Sequence, residues 1–204
     1  ACYLYGSSMF EKHKYDVASA HFKKAYNQNQ DSKITQLAYY WYGESLFRQN
    51  GFDESVGAFK TFLAQPNAAR HELYGMANYG IGWCKFKQKN FEEAGQYFEK
   101  FIGLADRDKN REEYVDALLR AGDCEFARKG FDGALRYYQQ VRDFNGKYVD
   151  YAMFQIGLVH LRKAEYQKAA ENMVQLAVKQ QKSVYREQAL AIAAQTYLSW
   201  LEDA

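Results

Sequence analysis

AYYWYGESLF, residues 38–47, places five aromatic rings in ten positions. A single such stretch would suit a ligand cage or a membrane anchor, whereas a periodic one means packing. It is periodic. An alanine stands five residues before a small residue at Ala1/Gly6, Ala38/Gly43, Ala77/Gly82, Ala117/Gly122, Ala152/Gly157 and Ala189/Ala194, and successive alanines are 37, 39, 40, 35 and 37 residues apart. Nine residues after each glycine comes an aromatic: Tyr15, Phe52, Phe91, Phe131 or Tyr166. Three further on is a small residue (Ala18, Ser55, Ala94, Ala134, Ala169), and four beyond that a bulky one (Phe22, Phe59, Phe98, Tyr138, Met173).

Each unit reads as two amphipathic helices, A and B, joined by a tight turn. The glycine and the second small residue let the helices approach closely, and the aromatic plugs the end of the hairpin. One proline in 204 residues speaks against a turn-rich sandwich or barrel. A hydrophobic fraction of 48% with 25% charged residues excludes disorder.

This pattern resembles the tetratricopeptide repeat family. Its helix A signature is AYYWYG, and its turn and helix B signature is GFDESVGAF, NFEEAGQYF and GFDGALRYY. The resemblance implies an all-α, right-handed superhelical solenoid of antiparallel helix hairpins with about eleven helices. As a single array, the repeats would span 1–37, 38–76, 77–116, 117–151 and 152–188, with a sixth helix A at 189–204. They are longer than the family's roughly 34 residues, and the extra length falls in segments such as GLADRDKNREEY, 103–114. The paired rings Phe59/Phe62 and Phe98/Phe101 resemble a bacterial envelope branch, that of outer-membrane assembly lipoproteins and the Tol–Pal periplasmic coordinator. That likeness points to the periplasm or outer-membrane periphery; a cytoplasmic location is the alternative. Lys85 and Glu125 occupy an inward position of helix A beside Phe86 and Phe126, so the core there is expected to be rotated by one residue.

In this register Tyr39 and Tyr42 are expected to pack on helix B. The family's groove positions carry over to Tyr40, Trp41, Glu44 and Arg48, then Tyr79, Trp83 and Lys87, then Arg120 and Asp123, and last Phe154, Leu158 and Arg162. Trp, Tyr and Arg are the residue types that dominate interface hot spots. The mixture of rings with both charges suits a protein or peptide segment. The same rings also suit packing between neighbouring A helices. The function implied is a non-catalytic interaction scaffold, and the alternative is a spacer segment of a larger multi-repeat protein.

Other chemistry is not signalled. A net charge of +2 with interspersed signs shows no basic stripe for nucleic acid. No apolar run approaches the roughly 18–20 residues of a membrane span, so direct insertion is not expected. Cys2, Cys84 and Cys124 form neither a disulfide framework nor a zinc pattern; the latter two are read as small packing residues. His13, His21, His71 and His160 are scattered, and His160 alone lies on an inward part of helix A, as a core histidine with its bonds satisfied. GIG at 80–82 follows no strand and is no nucleotide loop. Glu92/Glu93 and Glu112/Glu113 are placed at helix starts, where the macrodipole favours acids. No catalytic residues, metal ligands or cofactors are expected.

Cys2 falls inside the first helix A, which argues against a lipid-bearing N-terminus. The last helix, ALAIAAQTYLSWL, is apolar on more than one side. It is therefore a candidate surface for self-association, and the chain is expected to be a segment of a longer array.

Overall fold

The computed structural model describes residues 1–28, 32–144 and 146–202. Among the described residues there are eleven α-helices, one short 3₁₀ turn at Ala68–Arg70 and no strand. They divide into two compact units, Ala1–Ala105 and Asp106–Ala204. The first holds α1 (Cys2–Glu11), α2 (Tyr15–Gln28), α3 (Ser32–Arg48), α4 (Phe52–Leu63), α5 (Tyr74–Lys87) and α6 (Phe91–Leu104). The second holds α7 (Arg111–Ala127), α8 (Phe131–Asp143), α9 (Val149–Arg162), α10 (Tyr166–Lys179) and α11 (Arg186–Glu202). Within each unit every helix packs on the next, forming a run of antiparallel hairpins. The end of the sixth helix A, residues 203 and 204, lies outside the described residues.

The repeat register sets the packing. Ala38, Ala77, Ala117, Ala152 and Ala189 are fully buried, as are the five small residues of helix B. At Gly6, Gly43, Gly82, Gly122 and Gly157 an added Cβ would come within 2.6–3.0 Å of Phe22, Phe59, Phe98, Tyr138 and Met173 respectively. Each glycine is thus the socket for the bulky residue of its own helix B. Each such side chain, all fully buried, contributes about 2–3 kcal/mol from burial alone. GIG at 80–82 serves two neighbours: Gly80 receives the Phe59 ring and Gly82 the Phe98 ring.

All five helices B begin at the repeat aromatic, but the residue that reverses the chain is two positions earlier and is never glycine. His13, Asn50, Lys89, Lys129 and Ala164 all have φ between 55° and 65°. Each closes a Schellman motif; at one turn Asn50 N donates to Phe47 O at 3.0 Å and Gly51 N to Leu46 O at 2.9 Å. Left-handed backbone costs a non-glycine residue roughly 1 kcal/mol, and Ala164 has no polar side chain to offset it. Ala164→Gly is therefore expected to stabilise the second unit by about 1 kcal/mol, read as a higher urea midpoint. A lower midpoint would contradict the turn geometry.

The core is not rotated at Lys85 and Glu125. Phe86 meets Phe91 at 5.5 Å between ring centroids, and Phe126 meets Phe131 at 5.9 Å. Phe10/Tyr15 and Phe47/Phe52 make the same contact at 5.2 and 5.8 Å. Every one of these four hairpins is closed by an aromatic pair, so Phe86 and Phe126 hold their ordinary register. The charged neighbours instead reach across the turn. Lys85 Nζ lies 3.1 Å from Glu93 Oε2 in the first turn of α6. At the equivalent place His160 Nδ1 lies 2.6 Å from Glu165 Oε2, at the N-cap of α10. His160 thus has its bond satisfied by a carboxylate. Glu92/Glu93 and Glu112/Glu113 fall in the first turns of α6 and α7.

Candidate functional site: the exposed registers of the A helices

In the first unit the aromatic stretch separates in an order other than the expected one. Tyr39 and Tyr42 are half-buried and gather on Tyr26 of α2, at 4.3 and 5.5 Å between centroids. Tyr40, expected on the offered face, is instead only 4% exposed and sits at 5.6 Å from both Phe59 and Phe62. The cause is the socket at Gly43. Helix B comes so close there that the residue three before the glycine falls onto its ring pair. Tyr79 obeys the same rule and packs at 5.0 Å from Phe101. Trp41 is wedged edge-on between Phe10 and Tyr40, 5.2 Å from each.

What reaches solvent from α3 and α5 is a smaller set. Glu44 is half-buried and accepts from the Tyr40 hydroxyl at 3.5 Å. Burial raises its carboxyl above the ordinary value, against the pull of Arg48 and that hydroxyl. Arg48 is exposed. Trp83 is half-buried against Phe86 and Phe98, at 5.6 and 6.0 Å, and the exposed Lys87 holds its ammonium 5.6 Å from the indole centroid. Glu44 and Trp83 share one repeat position, and Arg48 and Lys87 share the one a helical turn later. The first unit therefore repeats a small ridge on consecutive A helices: one carboxylate or indole, then one cation.

In the second unit the expected residues are drawn into internal bonds. Arg120 lies 3.4 Å from Asp116 and donates to Asp123 through Nη1. Asp123 also accepts the Tyr138 and Tyr151 hydroxyls, each at 2.8 Å, and the guanidinium stands 5.9 Å from the Tyr151 ring centroid. Burial raises the Asp123 carboxyl, with Arg120 and the two hydroxyls opposing it. Burial and the nearby Asp123 charge push both phenols well above the ordinary tyrosine range. Phe154, expected to face a partner, is instead 5% exposed and stacked on Tyr185 at 5.0 Å. Leu158 is half-buried against the Met153/Met173 cluster, and Arg162 is exposed. Asp116, Tyr138 and Tyr151 were missed as members of this cluster. One signal was available: Tyr138 carries a hydroxyl at a register otherwise filled by Phe or Met.

Cys84 and Cys124 are buried, and burial pushes their thiols up to about 11 and about 12. Cys84 Sγ donates to Ser55 Oγ at 3.4 Å, and Ser55 donates onward to Gly43 O at 2.8 Å. Cys2 opens α1. Among the described residues no group of three or more His, Cys, Asp or Glu could hold a metal ion, and no helix is long and apolar enough to cross a membrane.

Two stretches of the chain, residues 43–109 and 116–144, match family models described as tetratricopeptide repeat. No curated protein matches the sequence. Among solved structures the chain is similar to YrrB, described as a TPR protein with an unusual peptide-binding site; the TM-score is 0.74 at 19% identity, covering 92% of this chain and 89% of that one. It is similar to MamA with a TM-score of 0.72 at 18% identity, covering 87% and 88%. A tetratricopeptide repeat protein from Parabacteroides merdae gives 0.74 at 13% identity, covering 96% and 72%. At these identities the likeness is one of fold. Residues 43–109 and 116–144 thus match tetratricopeptide repeat models, and the solved neighbours share the fold of the chain.

Proposed function

We propose that the chain is a non-catalytic scaffold that binds a protein or peptide segment through the exposed registers of its A helices. The observation that carries this reading is the repeated ridge of the first unit, Glu44/Arg48 on α3 and Trp83/Lys87 on α5. A half-buried indole beside exposed cations can take up an apolar side chain and a carboxylate or carbonyl of an extended segment. The peptide-binding site named for YrrB supports the reading by analogy of fold. In the second unit Leu158 and Arg162 are the groove residues that stay accessible or half-accessible. The spacer reading draws its support from Tyr40, Trp41 and Phe154, whose rings are committed to packing.

The test uses the whole chain as bait, beside Arg48→Glu/Lys87→Glu and Trp83→Ala variants whose helicity matches the parent by circular dichroism. A partner held by the parent and lost by the folded variants supports the ridge. Equal capture by all, or capture by none, removes it and leaves the spacer. We place the protein in the bacterial envelope as part of the same proposal. The support is the sequence pattern alone, because Phe59, Phe62, Phe98 and Phe101 are all buried packing residues. Recovery from the cytosol, with none released by osmotic shock, would refute that placement.

A further inference from the structure

Three A helices end on the same kind of side-chain bond. Gln49, Gln88 and Lys163 each stand six residues after the repeat glycine, directly after Arg48, Lys87 and Arg162. Each reaches back to the start of the preceding helix B. Gln49 Nε2 donates to Tyr15 O at 3.0 Å and to Ser19 Oγ at 3.2 Å, at the start of α2. Gln88 Nε2 donates to Asp53 Oδ1 at 2.8 Å, in the first turn of α4. Lys163 Nζ donates to Asp132 Oδ1 at 2.6 Å, in the first turn of α8. The donor changes from amide to ammonium and the acceptor from carbonyl and hydroxyl to carboxylate, while the place in the repeat stays the same. What recurs is a bond from one hairpin to the one before it.

The last turn of a helix leaves backbone carbonyls without intrahelical partners and frays first. Arg48 and Lys87, the cations of the ridge, lie in that last turn of α3 and α5. A side chain that ties the next residue to a neighbouring hairpin holds the turn closed. At Gln88 the tie also sits one residue from the Lys87 ammonium, which stands 5.6 Å from the Trp83 indole centroid.

We propose that Gln49, Gln88 and Lys163 are positioning residues, each latching the end of its A helix to the preceding hairpin and so setting the cation just before it. Their positioning role rests on the reading of the exposed A-helix registers as the binding surface, whereas the latch is measured without any partner.

Nitrogen-15 NMR of the whole chain tests both. In Gln88→Ala the amides of the last turn of α5 are expected to exchange about three- to tenfold faster. The Trp83 indole N–H resonance should shift as well, with that of Trp200 unmoved and helicity unchanged. Gln88→Lys, which reproduces the bond made by Lys163, should match the parent in both readings. Gln88→Glu sets a carboxylate against Asp53 and should lose both; Gln88→Glu/Asp53→Asn returns a donor to face the new carboxylate and should recover them. Exchange and indole resonance unchanged in Gln88→Ala overturn the latch, as does a Gln88→Glu loss that Asp53→Asn does not repair. Faster exchange with the Trp83 indole unmoved overturns the positioning role. No captured partner enters these readings, so their failure is distinct from failure of the ridge in the bait experiment.

Discussion

Phe59→Ala is expected to destabilise the first unit by about 3–5 kcal/mol, the range for removing a fully buried aromatic ring. Phe59 is fully buried and fills two sockets at once, Gly43 of its own repeat and Gly80 of the next, with the Tyr40 ring 5.6 Å away. Its loss therefore opens a cavity among three consecutive helices that glycine backbones cannot fill. Urea unfolding followed by tryptophan emission reads this directly, since Trp41 and Trp83 both belong to that unit. A loss below about 1 kcal/mol would mean that the helices close over the gap, and that the double socket is not what sets their spacing.

The second large effect is expected at Asp123. Removing its carboxylate by Asp123→Ala takes the acceptor from the Tyr138 and Tyr151 hydroxyls and one carboxylate from Arg120. The cost should be about 2–4 kcal/mol. Asp123→Asn should cost less than the alanine change, because the amide oxygen still accepts the two hydroxyls while its NH2 faces the Arg120 guanidinium. The pH dependence has a definite sign. With its carboxyl raised above the ordinary value, the folded state binds this proton more tightly than the unfolded state does. Asp123's contribution to stability is thus greatest in acid and falls as pH rises from about 4 through the folded-state value. The parent should lose stability relative to Asp123→Asn over that window, measured by urea midpoints of both proteins across pH. If the asparagine variant is as damaged as the alanine variant, the charge itself holds the cluster together.

Much of the fold was legible because a repeat states the same constraint several times. The glycine, the small helix B residue and the bulky residue sixteen positions after the glycine recur together, and each is a contact in the structure. The turns were legible only in part. Gly51 and Gly130 stand directly before the repeat aromatics, and the left-handed positions are Asn50 and Lys129. A Schellman closure places that residue by hydrogen-bond count from the helix end, not by side-chain type. The candidate surface was read least well. Tyr39, Tyr40 and Tyr42 are chemically identical, and which of them meets α4, α2 or solvent depends on rotations of a few tens of degrees about the axis of α3. Period counting does not resolve those rotations.

Sequence by itself determined that the chain is a series of helical hairpins, where each begins, and which residues form the sockets between helices A and B. Those follow from local spacing and residue volume, which repetition makes redundant. Only the tertiary structure decided that Tyr40 and Phe154 are packing residues, that Arg120 and Asp123 are bound to each other, and that Glu44, Arg48, Trp83 and Lys87 remain at the surface. Whether a side chain on an amphipathic boundary is spent inside depends on what the neighbouring helix presents opposite it. That neighbour lies tens of residues away in the chain.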